Sequence, residues 1–507
     1  MPAVVAAEHP AAEALPASVR RNSLLTVALG NFMVQMAMMP VSTILPTVAS
    51  EFGVQLDVAS WVMSAYLLLL TGWLLTAGRL GDQFGHRRVY VAGIALYMTA
   101  GTICGLAQNP LQLIALRALQ GVGGALMLGN GLAIVVHSFP ARQHGRAIGI
   151  AMMAASLGST IGVAIGGVAL EYLSWRWMFF VVAPLGAIAL VAALGLRGIT
   201  TPRKAHRVDW QGALLLFLML TAVTLSMTHL HGGEESFEAG WPYHTAMQAL
   251  ALVLLGAFVV VERRAAEPMV LFHYFRYGRF TFPLLAHGVL HMVMMGTIFL
   301  APFVIERGML LSAGMTAAFL VTRQLVTVGM APVSGWLYDR TRSPLIAPLA
   351  MAGIAACLIY LGLQADHLDF DTFAIIGIPL SGFVGLFMTP NNTALMSALP
   401  ADKKGFASGM LETARQMGHG LAVPIVSAVM TAAVLADGPR LGTPAAYLIG
   451  YQHAVLLMAA FCVGAMLASI AGSCSRAGWA SRAARAAAAA DGTSAAPEPV
   501  AAGSSAR

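Results

Sequence analysis

Fourteen apolar stretches follow one another along this 507-residue chain, centred near residues 24–48, 59–78, 89–108, 111–137, 146–169, 177–196, 210–230, 245–261, 280–304, 313–337, 344–363, 372–398, 406–433 and 449–472. Each is about 20 residues, the length an α-helix needs to cross a bilayer core. Hydrocarbon offers no partner to a backbone N–H or C=O, so a chain that enters it this often must pair those groups within each segment. An all-α integral membrane protein is therefore expected. Composition agrees: 58% of residues are hydrophobic and 10% charged, against about 25% charged in a soluble domain. Mean hydropathy is +0.75.

Charge orients these spans. With a cytoplasmic N-terminus, 23 of the 29 basic residues fall on inner segments, from Arg20 and Arg21 through Arg87, Arg88, Lys403 and Lys404 to the tail. Outer segments hold only Arg176, Arg307 and Arg440, and spans hold Arg117, Arg323 and Arg415. Positive residues gather on the cytoplasmic side of membrane proteins. Both termini are thus expected inside, in a bacterial cytoplasmic (inner) membrane. The net charge of +7 reflects topology and not nucleic-acid binding. The first nineteen residues lack an apolar core, so no cleaved signal peptide is expected. Cys104, Cys357, Cys462 and Cys474 have no CxxC spacing, which suggests neither disulfides nor a zinc site.

The chain also repeats itself. Pro140-Ala-Arg-Gln-His-Gly145-Arg-Ala147-Ile-Gly149 returns as Pro400-Ala-Asp-Lys-Lys-Gly405-Phe-Ala407-Ser-Gly409, and Gly78-Arg-Leu-Gly-Asp82 returns as Gly335-Trp-Leu-Tyr-Asp339. Repeats in an apolar chain indicate a transporter of two parallel halves. The boundaries this predicts are a tail at 1–23, a six-helix half at 24–200, a two-helix insert with linkers at 201–274, a second six-helix half at 275–474 and a disordered tail at 475–507. The acidic outer loop Gly232–Glu238, with His229 and His231 beside it, reads as a solvated loop. Outer loops are short, so function must lie inside the bundle.

Four motifs carry chemistry or geometry. After the second span, Gly78-Arg-Leu-Gly-Asp82-Gln-Phe-Gly85-His-Arg87-Arg88 combines turn-forming glycines with a carboxylate and anchoring arginines. Arg117-Ala-Leu-Gln120-Gly121-Val-Gly123-Gly124 sets a buried cation beside a close-packing face. Gly158, Gly162, Gly166 and Gly167 form a small-residue stripe that lets helices approach. Trp175-Arg176-Trp177 marks an interface.

In this order the motifs resemble the major facilitator superfamily, and with fourteen spans the chain looks like its drug/proton antiporter family of the EmrB/QacA type. The resemblance, over roughly 24–472, implies a major-facilitator fold of two six-helix halves plus two inserted helices. It implies that the halves rock about a central cavity, that Asp82 latches the inner gate, and that the Gly158–Gly167 stripe is the antiporter hinge. Three positions depart from the pattern. The first-span Asp is Ala37, the antiporter proline is Val163, and Gln83 stands where Arg is common. The first change removes a usual proton and cation site from the first half.

Replacement candidates come from the second half. Glu412 is the one carboxylate placed clearly within a span, and Glu412, Arg415, Gln416 and His419 share a helix face. Two readings stand: an internal Glu412–Arg415 ion pair that locks helix orientation, or Glu412 as proton carrier. His287 and His291 share another face, as a polar cavity wall or a proton relay. Two histidines fall short of a metal site, and no metal or cofactor is expected. Arg117 joins the coupling candidates. Met36, Met39, Gln120, Met295, Arg323, Gln416 and His419 are the expected cavity lining, since flexible thioethers suit a pocket that repacks.

No Walker-type phosphate loop or catalytic constellation is present, so no enzyme is expected. The expected function is proton-coupled export of amphiphilic small molecules. The alternatives are a uniporter or exporter of an endogenous anionic metabolite, or a ligand sensor or efflux-complex subunit that moves nothing. A periplasmic adaptor and outer-membrane channel are open as partners but not favoured, because the 433–449 loop is short for the EmrB branch.

Overall fold

The computed structural model describes residues 16–140, 143–195, 209–227, 240–265, 268–400 and 403–490. The loop holding His229, His231, Glu234 and Glu235 lies outside these residues, as do most of the basic linker before the insert and the chain ends. The first half comprises α1 (Ala17–Met38), α2 (Val41–Phe52), α3 (Leu56–Phe84), α4 (His86–Cys104), α5 (Pro110–Ser138), α6 (His144–Tyr172), α7 (Trp177–Phe180) and α8 (Val182–Leu194). The insert is α9 (Trp210–Ser226) and α10 (Trp241–Arg264). The second half comprises α11 (Gly278–Pro302), α12 (Ala313–Thr341), α13 (Ile346–Leu363), α14 (Phe370–Met396), α15 (Lys404–Leu441) and α16 (Thr443–Ala490). No strand occurs among the described residues.

Among the described residues, eleven helices are long and apolar enough to cross a membrane, and the bent pair α1–α2 makes twelve. The bend of 40° falls at Pro40, whose ring blocks the helical hydrogen bond. The expectation of fourteen thus exceeds what length and apolarity support. The stretch expected at 89–108 falls on α4, whose first turn carries His86, Arg87 and Arg88. The stretch expected at 210–230 falls on α9, which has 17 residues. That helix spans about 26 Å at 1.5 Å per residue, short of a core of about 30 Å.

The two halves repeat each other in packing as well as in spelling. In the first, α3 packs on α5, α4 on α5 and α8, and α1 on α6 and α8. In the second, α12 packs on α14, α13 on α14 and α16, and α11 on α15 and α16. Across the centre, α3 meets α15 and α6 meets α12, so each contact is the other's counterpart under a pseudo-two-fold exchange of halves. The insert lies at the rim: α9 packs on α10 and α3, with Phe217 against Gly72.

Two segments differ from the sequence expectation. Residues 433–449 are not a loop, since α15 and α16 are separated only by Gly442, whose φ of +86° suits glycine. The helix α16 runs to Ala490, where disorder was expected from 475. Its alanine run has the highest helix propensity of any residue.

Candidate functional site

At one end of the bundle, Gly85 joins α3 to α4 with φ +95°. Asp82 Oδ1 lies 3.3 Å from His86 Nε2, and His86 Nδ1 lies 2.7 Å from Asn130 Oδ1. The Asn130 amide donates to the carbonyls of Ala77 and Leu126, which turns its oxygen toward His86. His86 thus bridges Asp82 at the end of α3 and Asn130 of α5. Gly81 is required here, because a Cβ would strike Asn130 and His86. Gly78 passes the Gly129 carbonyl. Arg87 Nη2 donates to Leu194 O at 3.1 Å, closing the end of α8, while Arg88 is exposed.

The glycine stripe seats α6 on α1. A Cβ at Gly158 or Gly162 would meet the backbone of Phe32 or Met36. Gly166 faces Pro40 and Thr43, and Gly167 faces Ala317 of α12 in the other half.

Arg117 and Gln120, both on α5, are fully buried. Arg117 Nη1 donates to Gln120 Oε1 at 2.6 Å and Nε to Val62 O at 3.1 Å. Its guanidinium stacks 4.1 Å from the Tyr66 ring centroid, and Nη2 has no hydrogen-bond partner among the described residues.

The second-half candidates form a cluster between α15 and α11. Arg415 grips Glu412 with two hydrogen bonds, Nε to Oε2 at 2.9 Å and Nη2 to Oε1 at 2.7 Å. Gln416 Nε2 adds a third at 2.8 Å. One turn on, His419 Nε2 lies 3.1 Å from His291 Nδ1, and the His291 and His287 rings are 4.5 Å apart. Both nitrogens of His287, Nε2 of His291 and Nδ1 of His419 have no partner among the described residues. The cluster reaches the other half through Thr71, whose hydroxyl donates to Gln416 O at 3.1 Å. No group of three His, Cys, Asp or Glu side chains able to hold a metal occurs among the described residues.

A cavity of about 20 Å³ lies where the halves meet, lined by Met39, Ser159, Met294, Arg323, Gln324 and Thr327 among others. That admits a water molecule; a drug-sized ligand needs about 300 Å³ or more. Of the expected lining, Met39 and Arg323 are here. Met36 and Met295 are packed in the core, and Gln416 and His419 belong to the α15 cluster. Met294 lines the cavity in place of its neighbour, a rotation of about 100° around the helix. Ser159, Gln324, Thr327 and Ser381 were missed. Gln324 and Thr327 were within reach, because both flank Arg323 in an apolar span and Thr327 is one turn away. Of the three span arginines, Arg323 lines this cavity, Arg117 stacks on Tyr66 and Arg415 holds Glu412.

Glu412 is not the only carboxylate within the apolar helices. Glu262 is buried near the end of α10 and accepts from Val270 N at 2.6 Å. Glu306 follows α11 on a π-helical turn and accepts from Thr316. Next to it, Arg307 donates to Pro46 O of the other half at 3.0 Å.

Two pseudo-symmetric helical halves with buried polar groups at their junction define a membrane solute transporter. The chain belongs to the Major Facilitator Superfamily, whose family model matches residues 27–423. It is 31% identical over 444 residues to the puromycin resistance protein pur8 of Streptomyces alboniger, covering 84% of this chain and 85% of that one. It is 28% identical over 430 residues to the multidrug resistance protein Stp of Mycobacterium tuberculosis (82% and 77%). It is 26% identical over 446 residues to the riboflavin transporter RibZ of Clostridioides difficile (87% and 94%). The fold matches an inward-facing bacterial homolog of the lysosomal transporter Spinster, with a TM-score of 0.64 at 14% identity, covering 91% of this chain and 98% of that one.

Proposed function

We propose that this protein exports amphiphilic small molecules across the cytoplasmic membrane in exchange for protons. The observation that carries the reading is the Glu412 clamp, a carboxylate inside the bundle held by Arg415 and Gln416 on the face that meets α3. The relatives that are multidrug and puromycin resistance proteins support an exporter. Here α4 and α9 also cross, giving the fourteen spans of the EmrB/QacA type; thinning of the bilayer accommodates the shorter α9. The Asp82 end faces the cytoplasm, with Arg79, Arg87 and Arg88 on that side. Asp82 latches the inner gate, and the Gly158–Gly167 stripe is the surface on which α6 and α1 move together.

In the exchange, a proton arriving at Glu412 neutralises the carboxylate and weakens three hydrogen bonds to it at once. Arg415 and Gln416 are then free to change partners, and Gln416 is tied through its backbone to Thr71 of the other half. The unpartnered nitrogens of His287, His291 and His419 offer water-bridged steps for the proton. One charge crossing 100 mV releases about 2.3 kcal/mol, enough to drive modest accumulation of a neutral compound.

The test is proton movement in inside-out vesicles carrying a pH gradient. Drug-triggered collapse that vanishes in Glu412→Gln supports the reading. Collapse that survives the substitution moves coupling off Glu412. No collapse with any compound favours a uniporter or a non-transporting sensor. A second reading, export of an anionic metabolite, is favoured by Arg323, which no carboxylate neutralises among the described residues, and by the riboflavin transporter among the relatives.

A further inference from the structure

Arg323 is buried in α12 and held only by neutral groups. Its Nε donates to Ser381 Oγ at 2.9 Å and its Nη2 to Thr297 Oγ1 at 3.3 Å. The Phe319 ring lies 5.6 Å from the guanidinium carbon. Nη1 makes no hydrogen bond among the described residues. This differs from Arg415, whose charge Glu412 cancels at 2.7 Å. An uncompensated buried cation is costly and is met by a partner of opposite charge. Among the described residues Arg323 is also the only charged side chain lining the cavity between the halves, where Met39 and Val163 of one half face Met294, Ile298 and Leu320 of the other.

From this arrangement we infer that Arg323 is the anion-binding element of the substrate site, and that the protein's substrates are amphiphilic organic anions, carboxylates or sulfonates on an apolar body. The guanidinium fork takes the anionic head in a bidentate grip. The thioether and aliphatic walls take the body. Ser381 and Thr297 hold the fork in place, so that little side-chain freedom is lost on binding. The cavity is too small for a whole ligand in this conformation, so the body enters only as the halves separate. This inference rests on the export reading for its direction of transport, but the binding preference does not depend on it.

The experiment measures the sign of the cavity's field without gradient or flux. In the full chain, Cys104, Cys357, Cys462 and Cys474 are replaced by alanine and Ser159→Cys supplies one cavity thiol. Its modification is timed with an anionic sulfonatoethyl and a cationic trimethylammonioethyl methanethiosulfonate. Faster reaction with the anionic reagent is expected, with the rate ratio falling about tenfold on adding Arg323→Gln and persisting in Arg323→Lys. The ratio cancels any change in thiol reactivity, and the lysine variant controls for folding. In the same protein, 2-naphthoate should slow modification more than 2-naphthalenemethanol. A ratio indifferent to Arg323→Gln, a preference for the cationic reagent, equal protection by the two naphthalenes, or no modification by either reagent overturns the inference. Failure of the vesicle assay would instead count against proton exchange and leave this result standing.

Discussion

Arg415 holds Glu412 through two hydrogen bonds of 2.9 and 2.7 Å, from a position three residues along the same helix. Both charges belong to one rigid element, so the pair survives any rocking of the halves and breaks only by a change of protonation or of rotamer. A hydrogen bond that does cross between the halves beside this pair runs from Thr71 to Gln416 O.

Removing one member of this pair should hurt more than removing both. Arg415→Leu leaves a carboxylate without its counter-charge and is expected to lower stability by about 3 kcal/mol. Adding Glu412→Gln should restore most of that loss. Thermal melts of the two single variants and the double variant in detergent measure the coupling, and additive effects would refute it.

The glycine stripe gives a graded prediction. Gly158→Val drives a side chain into the Phe32 backbone and should cost about 1–3 kcal/mol, as overpacking does. Gly149, on the same helix, has open space where a Cβ would stand. Gly149→Ala should be neutral or mildly stabilising, since alanine favours helix by about 1 kcal/mol. Comparison of folded yield and melting temperature for the two checks the contrast.

At the α3–α4 turn, Gly81→Ala should displace His86 from Asn130 and lower the melting temperature, while Gln83→Ala, on the exposed side of the turn, should not. Asp82→Asn removes the charge that faces His86 Nε2 at 3.3 Å and should loosen the same turn. Intramolecular cross-linking of cysteines placed at the turn, compared between the parent chain and these variants, reads this out.

Arg117→Lys is not conservative here. A lysine replaces the two nitrogens that reach Val62 O and Gln120 Oε1 with a single ammonium point charge, and it cannot stack on Tyr66 as the planar guanidinium does. A loss of about 2 kcal/mol is expected, as for a buried charge-assisted hydrogen bond, with Gln120→Leu losing less. Chemical or thermal unfolding of the two variants tests the order.

Which residues were legible in advance follows from what each needed. Gly85 and the Gly158–Gly167 stripe could be picked out because a positive φ or a close helix approach depends on the absence of a side chain, whereas the bond from Arg87 to Leu194 O, 107 residues away, could not. The Glu412–Arg415–Gln416 clamp could be read from helical spacing alone. Ser159, Thr297 and Ser381 could not, since a serine or threonine in an apolar span usually bonds its own helix, and only α14 lying beside α12 brings Ser381 to Arg323. Asn130 was hidden for the same reason, being 44 residues from His86.

Sequence by itself determined the helical membrane fold, because lipid leaves the backbone no other way to pair its polar groups, and it determined the two halves, because the same spelling recurs in both. Tertiary structure decided which side of each helix faces the junction, since one residue of rotation separates Met294 in the cavity from Met295 in the core. It also decided which partners Arg117, Arg323 and Arg415 take: Gln120, Ser381 and Glu412. A charge in an apolar span announces that a partner exists, but only the packing of distant helices chooses whether that partner is a carboxylate, a ring, a hydroxyl or an open space for a ligand.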